Sequence, residues 1–408
     1  MATFRYGSGG SYSFEVSKDE EGCVCRSPEA LDDPGGELAK LLVTPLDFPP
    51  MEQAVVPGDR VVIALDRYVP AAEECIAALW KPLSEKGVQP EDLLILQPIA
   101  LPGVAVRDPR TMLPEEIRER VGWKIHDATE SERLAYLSST VEGERIYLAR
   151  ELVEADLVVT VGEIAFDPVM GIRGTNSVLY PGLSNVEAIA KAHGQGHLEL
   201  GPNDDRGLRQ LVDEVGWMLG VQFTLQVIAG PGRSASRIFA GMDTSVWNAG
   251  REALFEASMV TAEERVDVVL MAIEEDCAGH HWNQLGAALA TARRLVAKGG
   301  KVIVLSELAC EPGDGMNLIR QVREARDVLK PLRQQSPPDL IPATQLASMV
   351  DWAEVYLLSK LDSTLVDELF MIPIESVESV DHLLRVGDST LFIEGAQHTF
   401  GEIASIEE

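Results

Sequence analysis

Short runs of apolar residues alternate with amphipathic segments along most of this chain. In the first half, unbroken apolar runs predict buried strands at residues 61–65, 93–96, 157–161 and 223–228. Apolar residues at helical spacing predict helices over residues 71–86, 115–121, 208–219 and 246–258. Strand, helix and strand in this order are typical of βαβ units, so the pattern predicts a parallel sheet in this half.

The same alternation continues in the second half of the chain. It predicts strands at 266–271, 302–305, 355–358 and 391–393, and helices at 283–297, 315–329, 344–353 and 363–370. A glycine pair at residues 9 and 10 predicts a hairpin over residues 1–16. A chain of 408 residues can form two cores. We therefore expect an α/β protein of two domains, 1–261 and 262–408, each with a mainly parallel sheet flanked by helices.

The stretch from Glu154 to His197 has the most irregular pattern. It opens with the predicted strand 157–161, and four glycines follow at positions 162, 171, 174 and 182. Glycine permits tight bends and close approach of the backbone to a ligand. Ser184 and Glu187 then predict a capping box for a helix that ends at Gly194 and carries Val186, Ile189 and Ala190 on one face. This order predicts polar groups at the carboxyl end of a strand, where open α/β folds bind ligands, although ordinary turns share it.

Composition excludes some classes of partner. The chain has 65 acidic and 35 basic residues, a formal net charge of −30, which argues against binding nucleic acid or an anionic membrane surface. We expect neither a signal peptide nor a membrane span, because the start lacks a basic, apolar pattern and no apolar run is long enough. The five scattered cysteines favour a reducing compartment, so we expect a cytoplasmic protein.

Two further groups of residues are candidates for chemistry. Arg67 follows the strand at 61–65, where its guanidinium can hold a carboxylate through two hydrogen bonds or can simply pair with Asp66. His280 and His281 are adjacent and point to different sides of a helix, which favours a capping or surface role over a shared metal ion.

Residues 162–182, GEIAFDPVMGIRGTNSVLYPG, resemble a segment of the nickel-dependent lactate racemase family, the LarA-like proteins. The family segment reads approximately Gly-Phe-Ile-Glu-Pro-His-x-x-Ala-Gly-x-Ser-Gly-Gly-Arg-Lys-x-x-x-Pro-Gly. The family's Thr-Arg-Pro-Val-Pro is similar to DRYVP at 66–70. Further motifs in the family's order are PGDR at 57–60, HD at 126–127, FAG at 239–241 and GDG at 313–315.

The resemblance implies a chemistry and a set of site residues. Family members hold nickel in a pyridinium-derived pincer cofactor tethered to a lysine, and a histidine completes the metal coordination. Two more histidines move the proton while hydride passes between substrate and cofactor. In this sequence the resemblance places the metal-binding histidine at His193, the carboxylate-binding arginine at Arg67 and the family's glutamine at Gln284.

Other family positions are changed. The tethering lysine falls on Ser177 and the arginine before it on Asn176, so these two mark the cofactor-binding position. The two proton-shuttling histidines fall on Asp167 and Ala100, and a further lysine falls on Ala287. A serine has no side-chain amine, so covalent attachment of the pincer is not expected, although an unattached nickel pincer or another metal remains open.

Two hypotheses follow. The first is a LarA-like protein with a degenerate active site, which does not racemise lactate by the family mechanism and binds a metabolite or a protein partner. The second is an isomerase or related enzyme on a 2-hydroxy acid or small carboxylate, with Asp167 as base, His193 as metal ligand, and Arg67 and Gln284 positioning the substrate. A nucleotide-dependent dehydrogenase is disfavoured, because no Gly-x-Gly-x-x-Gly follows the first strand of either half.

Overall fold

The computed structural model describes residues 1–15, 22–101, 103–196, 201–204, 206–384 and 389–404. Val16 and His197, which end two of the predicted segments, lie outside these ranges. The chain divides into two compact units. The N-terminal unit is Glu29–Phe255, and the C-terminal unit combines Met1–Pro28 with Glu256–Glu408.

Strands of the described residues are numbered in chain order. They are β1 Ala2–Tyr6, β2 Gly10–Phe14, β3 Val24–Cys25, β4 Val61–Leu65, β5 Leu93–Gln97, β6 Gly122–Ile125, β7 Leu134–Ser139, β8 Arg145–Ala149, β9 Leu157–Glu163, β10 Ala165–Asp167, β11 Gly171–Arg173, β12 Phe223–Ala229, β13 Ala235–Gly241, β14 Met259–Ala262, β15 Val266–Ala272, β16 Val296–Leu305, β17 Glu354–Leu358, β18 Ile372–Ile374, β19 Thr390–Ile393 and β20 Phe400–Ile403.

The α-helices are numbered in the same way. They are α1 Pro34–Val43, α2 Ala72–Glu85, α3 Glu115–Arg118, α4 Arg150–Val153, α5 Val186–His193, α6 Gly207–Leu219, α7 Asp243–Ser258, α8 Trp282–Leu295, α9 Asp314–Ile319, α10 Leu329–Gln335, α11 Leu340–Val350, α12 Ser363–Glu368 and α13 Glu378–Leu384.

The N-terminal unit is built on a six-stranded sheet of order β13-β12-β9-β4-β5-β6. Its strands pair in parallel except β13, which is antiparallel to β12. All five residues of β4 are buried, because both faces of the sheet are covered. Ile63 belongs to the core on the α1 and α2 face, and Ala64 to the core on the α6 face. The continuous apolar run at 61–65 is thus explained by a central strand.

The C-terminal unit is built on a parallel sheet of order β18-β17-β16-β15-β19-β3. One face packs against α8 and α11. The other face is covered partly by the β1–β2 hairpin, whose Phe4 and Phe14 share a core with Phe392 of β19. The hairpin predicted at the start of the chain is present. It belongs to the C-terminal unit, so this division differs from the predicted ranges 1–261 and 262–408 at residues 1–28 and 256–261.

The predicted α/β class, with parallel sheets flanked by helices, is confirmed. The prediction of one helix over 315–329 was wrong. Two helices, α9 and α10, occupy this region with a 3-10 turn at Ala325–Val328 between them. Residues 320–324 are mostly exposed charged or polar side chains, so no packed face continues through them. In the described part of the chain, no helix has the length and apolar character needed to cross a bilayer.

Candidate functional site

The candidate residues of the N-terminal unit gather where its central strands end. β4 and β9 are neighbours with Leu65 opposite Val161, and the Asp66 N–H donates to the Val161 carbonyl at 2.8 Å. The residues that follow these strands therefore lie at one edge of the sheet. Asp66 and Arg67 extend from β4, and Glu163 ends β9. This is the edge at which parallel α/β sheets present ligand-binding groups.

The glycine-rich loop after β9 starts as a short hairpin, in which β10 and β11 pair with Ala165 opposite Arg173. Gly174 follows with φ of 133°. A Cβ added there would lie 2.7 Å from Gln226 Oε1 and 3.3 Å from the Ile164 Cα, so only glycine fits. The loop thus approaches Gln226, in the middle of β12, more closely than a side chain would permit.

Arg209 of α6 holds this loop in place. Its guanidinium donates to the Gly174 carbonyl at 3.1 Å and to Thr175 Oγ1 at 3.0 Å, and pairs with Asp213. The guanidinium carbon also lies 4.3 Å from the centre of the Trp247 ring. Thr175 has φ of 49°, a left-handed conformation that is unfavourable for a β-branched residue. These contacts offset that local strain.

Ser177 lies within a 3-10 turn formed by Thr175–Val178. Its side chain is buried, with 8% of the residue exposed, and its Oγ accepts a hydrogen bond from the Gly174 N–H at 3.0 Å. The hydroxyl therefore closes the turn on which it lies. This is the position onto which the resemblance places the tethering lysine.

Asn176 is 1% exposed and packs against α6. Its Nδ2 donates to Asp243 Oδ2 at 3.4 Å, whereas its Oδ1 has no partner among the described residues. The adjacent helix position is Gly216, where an added Cβ would lie 2.1 Å from the Asn176 Nδ2. The absence of a side chain at 216 makes room for the amide.

Asp167 and His193 lie in the same unit. The Asp167 Oδ1 accepts from the backbone N–H groups of Val169 and Met170, at 2.8 and 2.7 Å, so this carboxylate caps the β10–β11 turn. His193 is half-buried in the last turn of α5, which ends at Gly194 as predicted. As catalytic base and metal ligand, the two residues remain predictions.

The start of α5 differs from the predicted capping box. Asn185, not Ser184, is the N-cap, and its Oδ1 accepts from the Ala188 N–H at 3.2 Å. The Ser184 hydroxyl instead donates to the Tyr147 carbonyl at 2.6 Å, which ties it to β8. The buried side chains of α5 are Ala188 and Ala192, so the predicted apolar face at 186, 189 and 190 is not the face that packs against the core.

Gln284 lies in the C-terminal unit, in the first turn of α8, and is 6% exposed. Its Nε2 donates to Asp276 Oδ1 at 3.0 Å, and its Oε1 accepts from the His281 N–H at 3.0 Å. Both ends of the amide thus bind groups of the protein itself. His281 is the N-cap residue of α8, as expected for a histidine with a capping role.

Sequence reasoning missed an ionic cluster at the same edge as Arg67. Arg173 donates to the Glu163 carboxylate and forms an ion pair with it. Burial raises the pKa of the Asp66 carboxyl, and the Glu163 charge acts in the same direction. The nearby cations Arg67 and Arg173 oppose this rise without cancelling it. The signal in the sequence was the presence of charged residues at 66, 163 and 173, where the family motifs have Thr, Phe and Ser.

The raised pKa of Asp66 predicts a pH effect on stability. A carboxyl whose pKa is higher in the folded protein binds more protons there, so its contribution to stability declines as pH rises above the ordinary aspartate pKa. Asp66→Asn keeps an Oδ1 that can accept the Arg67 N–H but cannot ionise. We expect the Tm difference, variant minus wild type, to increase with pH across a melting series. Exposed Asp32, changed to Asn, controls for the loss of one charge; equal pH trends in both variants would contradict the prediction.

The residues at 176 and 177 do not fit a lysine-tethered cofactor. The Ser177 hydroxyl is engaged by the Gly174 N–H, and the enclosed Asn176 amide cannot replace the missing amine. Within the described ranges, no three His, Cys, Asp or Glu side chains are grouped so that they could hold a metal ion. One surface cavity of about 610 Å³, lined by Lys124, Arg150 and Glu151 among others, contains none of the predicted site residues.

The chain is similar to known proteins over most of its length. Residues 6–201 match the family described as "Lactate racemase N-terminal domain". A lactate racemase of Thermoanaerobacterium thermosaccharolyticum is 20% identical over 300 residues, which cover 70% of this chain and 69% of that protein.

Two solved structures share the fold. The lactate racemase apoprotein of Thermoanaerobacterium thermosaccharolyticum matches with a TM-score of 0.79 at 16% identity, over 98% of this chain and 99% of that one. A Thermotoga maritima protein matches with a TM-score of 0.67 at 14% identity, over 93% of this chain and 100% of that one. Residues 6–201 are thus similar to the lactate racemase N-terminal domain, and nearly the whole chain shares the fold of the lactate racemase apoprotein.

Proposed function

We propose that this LarA-like protein binds a small organic carboxylate at the edge of the N-terminal sheet and does not racemise lactate through a lysine-tethered nickel pincer. The observation that carries the second part is the buried Ser177, whose hydroxyl accepts the Gly174 N–H. An amide or thioamide link needs a side-chain amine at this position, and serine has none. The proton relay that the resemblance implies is also incomplete, because Ala100 carries no titratable group.

Arg67 supports the carboxylate-binding part of the proposal. Its backbone N–H donates to Asp66 Oδ1 at 2.8 Å, which fixes the start of the side chain. Among the described residues, its guanidinium forms no hydrogen bond and no ion pair within 4 Å. A guanidinium without such contacts, at the carboxyl end of a central strand, can form two parallel hydrogen bonds to a carboxylate. The similar protein named lactate racemase suggests a small hydroxy acid as the ligand.

The alternative function is an isomerase or related enzyme acting on a 2-hydroxy acid or small carboxylate with altered cofactor or metal use. The observation that favours it is Asp66, a carboxyl with a raised pKa beside the cations Arg67 and Arg173. Such perturbed groups are suited to exchange protons with a bound ligand. Incubation with 2-hydroxy acids in D₂O distinguishes the two functions. Deuterium appearing at C2, and lost in Asp66→Asn, would favour the enzyme over a binding protein.

The test of the proposed function measures activity and binding on the same preparation. Protein made in cells that produce the pincer cofactor is incubated with L-lactate, and both enantiomers are separated by chiral chromatography. We expect no D-lactate above the blank. Calorimetric titration with small carboxylates is expected to show binding that Arg67→Gln weakens. Lactate racemisation by the wild type, or binding unaffected in Arg67→Gln, would contradict the proposal.

A further inference from the structure

The ionic cluster at the edge of the N-terminal sheet contains two arginines, of which Arg173 is ion-paired and Arg67 is not. Glu163 is the buried partner of its ion pair, with 8% of its side chain exposed, whereas the Arg173 side chain is 39% exposed. The pair therefore anchors the guanidinium from the protein side and leaves part of it open to solvent. Arg173 Nε is buried and has no partner among the described residues. The Arg67 side chain makes no hydrogen bond to any residue that the structure describes.

Burial raises the pKa of Asp66, the charges of both arginines act to lower it, and all three residues lie where β4 and the β10–β11 hairpin reach the same edge of the sheet. Asp66 and Arg67 extend from β4, and Arg173 ends the hairpin that follows the adjacent strand β9. Burial opposes the charge on Arg173, but the surrounding carboxylates outweigh it and raise its pKa, so the guanidinium stays charged; they are Glu163, Asp66 and Asp167. Two guanidiniums on neighbouring elements thus border the same edge.

The negative charge of the whole chain bears on whether these two arginines bind an anion. With a net charge of −30, the protein repels small anions on average. A small anion therefore needs a guanidinium that is still open to a ligand. The chain has lost the arginine and lysine that the family motif has at 176 and 177, and it carries an arginine at 173 instead of the motif's serine. One of the two positive charges lost from the loop is therefore replaced at position 173.

We infer that Arg67 and Arg173 together form a two-cation site that prefers small dicarboxylates over monocarboxylates. This inference rests on the proposed function, because Arg67 holds the first carboxylate as proposed there. Arg173, positioned by Glu163, holds the second. A monocarboxylate bound to Arg67 leaves the Arg173 guanidinium unused. The second carboxylate of a dicarboxylate can pair with it, because Glu163 holds this guanidinium in a fixed position.

Calorimetric titration at low salt with succinate and butyrate tests the inference, since the two probes have equal carbon number but two and one carboxylates. Wild type should bind succinate about tenfold tighter or more, because one charge-assisted hydrogen bond contributes at least that factor. Arg173→Gln should bring succinate to the level of butyrate and leave butyrate unchanged. Arg67→Gln should weaken both ligands. The control Arg60→Gln, which removes a solvent-exposed arginine from the same unit, should change neither.

Removing Arg173 also takes an ion-pair partner from the buried Glu163, so folding is checked separately. The double variant Glu163→Gln, Arg173→Gln replaces both charges by amides, and its melting curve and succinate affinity are measured together. A folded double variant should show the same loss of preference for succinate. If wild type bound both probes equally and Arg173→Gln had no effect, the inference would be overturned. The proposed function would still hold in that case if Arg67→Gln weakened binding. If neither succinate nor butyrate bound, both the inference and the proposed function would be overturned.

Discussion

Gly216→Ala is expected to lower the free energy of unfolding of the N-terminal unit by about 1–3 kcal/mol, the usual cost of overpacking a core. The new Cβ would lie 2.1, 2.2 and 2.7 Å from the Nδ2, Cγ and Oδ1 of Asn176. Asn176 is 1% exposed, so its amide has no open space into which to move. Chemical denaturation followed by far-UV circular dichroism measures the loss.

A double-mutant cycle assigns this loss to the contact with Asn176. Asn176→Ala removes the amide that the new methyl group meets, so Gly216→Ala should cost much less in that background. The matched control is Gly207→Ala in the same helix, where an added Cβ meets no atom of the described residues within 4 Å. We expect it to leave stability unchanged or slightly raised. Additive effects of the two substitutions at 176 and 216 would contradict the packing described here.

Phe14→Ala is expected to destabilise the C-terminal unit by about 3–5 kcal/mol, although residue 14 lies far in sequence from the main sheet of that unit. Phe14 is 5% exposed and stacks on Phe392 of β19, with ring centres 4.6 Å apart. It also meets Phe4 edge-on at 5.1 Å. The substitution removes the centre of this aromatic group.

Hydrogen exchange followed by mass spectrometry identifies the unit that is affected. Peptides covering β15 and β19 should lose protection in Phe14→Ala, while those covering β4 and β9 keep theirs. Thr3→Ala, on the exposed side of the same hairpin, should change stability by no more than about 0.5 kcal/mol. Loss of protection in β4 and β9 first would show that the hairpin belongs with the N-terminal unit.

The elements that the sequence predicts best are those whose pattern has one physical cause. The run at 61–65 is apolar at every position, because β4 is central and covered on both faces. The sequence also shows directly that residue 177 has no side-chain amine, because this depends only on the residue type. In such cases, local pattern and chemistry are sufficient.

The remainder depends on contacts between residues distant in sequence. Nothing local distinguishes Ser184 from Asn185 as the N-cap; the Ser184 hydroxyl is bound by the Tyr147 carbonyl of β8. Glu163 and Arg173 are ten positions apart and form a pair only because the β10–β11 hairpin folds back. The membership of the first hairpin in the C-terminal core depends on aromatic packing with a strand more than 370 residues later.

The central proposal is that residue 177 of this chain carries no tethered nickel cofactor. The most direct measurement is peptide mass spectrometry, with nickel analysis, of protein made in cells that produce the pincer cofactor. The lactate racemase of Thermoanaerobacterium thermosaccharolyticum, made in the same cells, serves as the positive control. We predict that the peptide containing Ser177 has its unmodified mass and that no nickel remains with the denatured chain. A covalent adduct within residues 162–182, accompanied by equimolar nickel, would contradict the account.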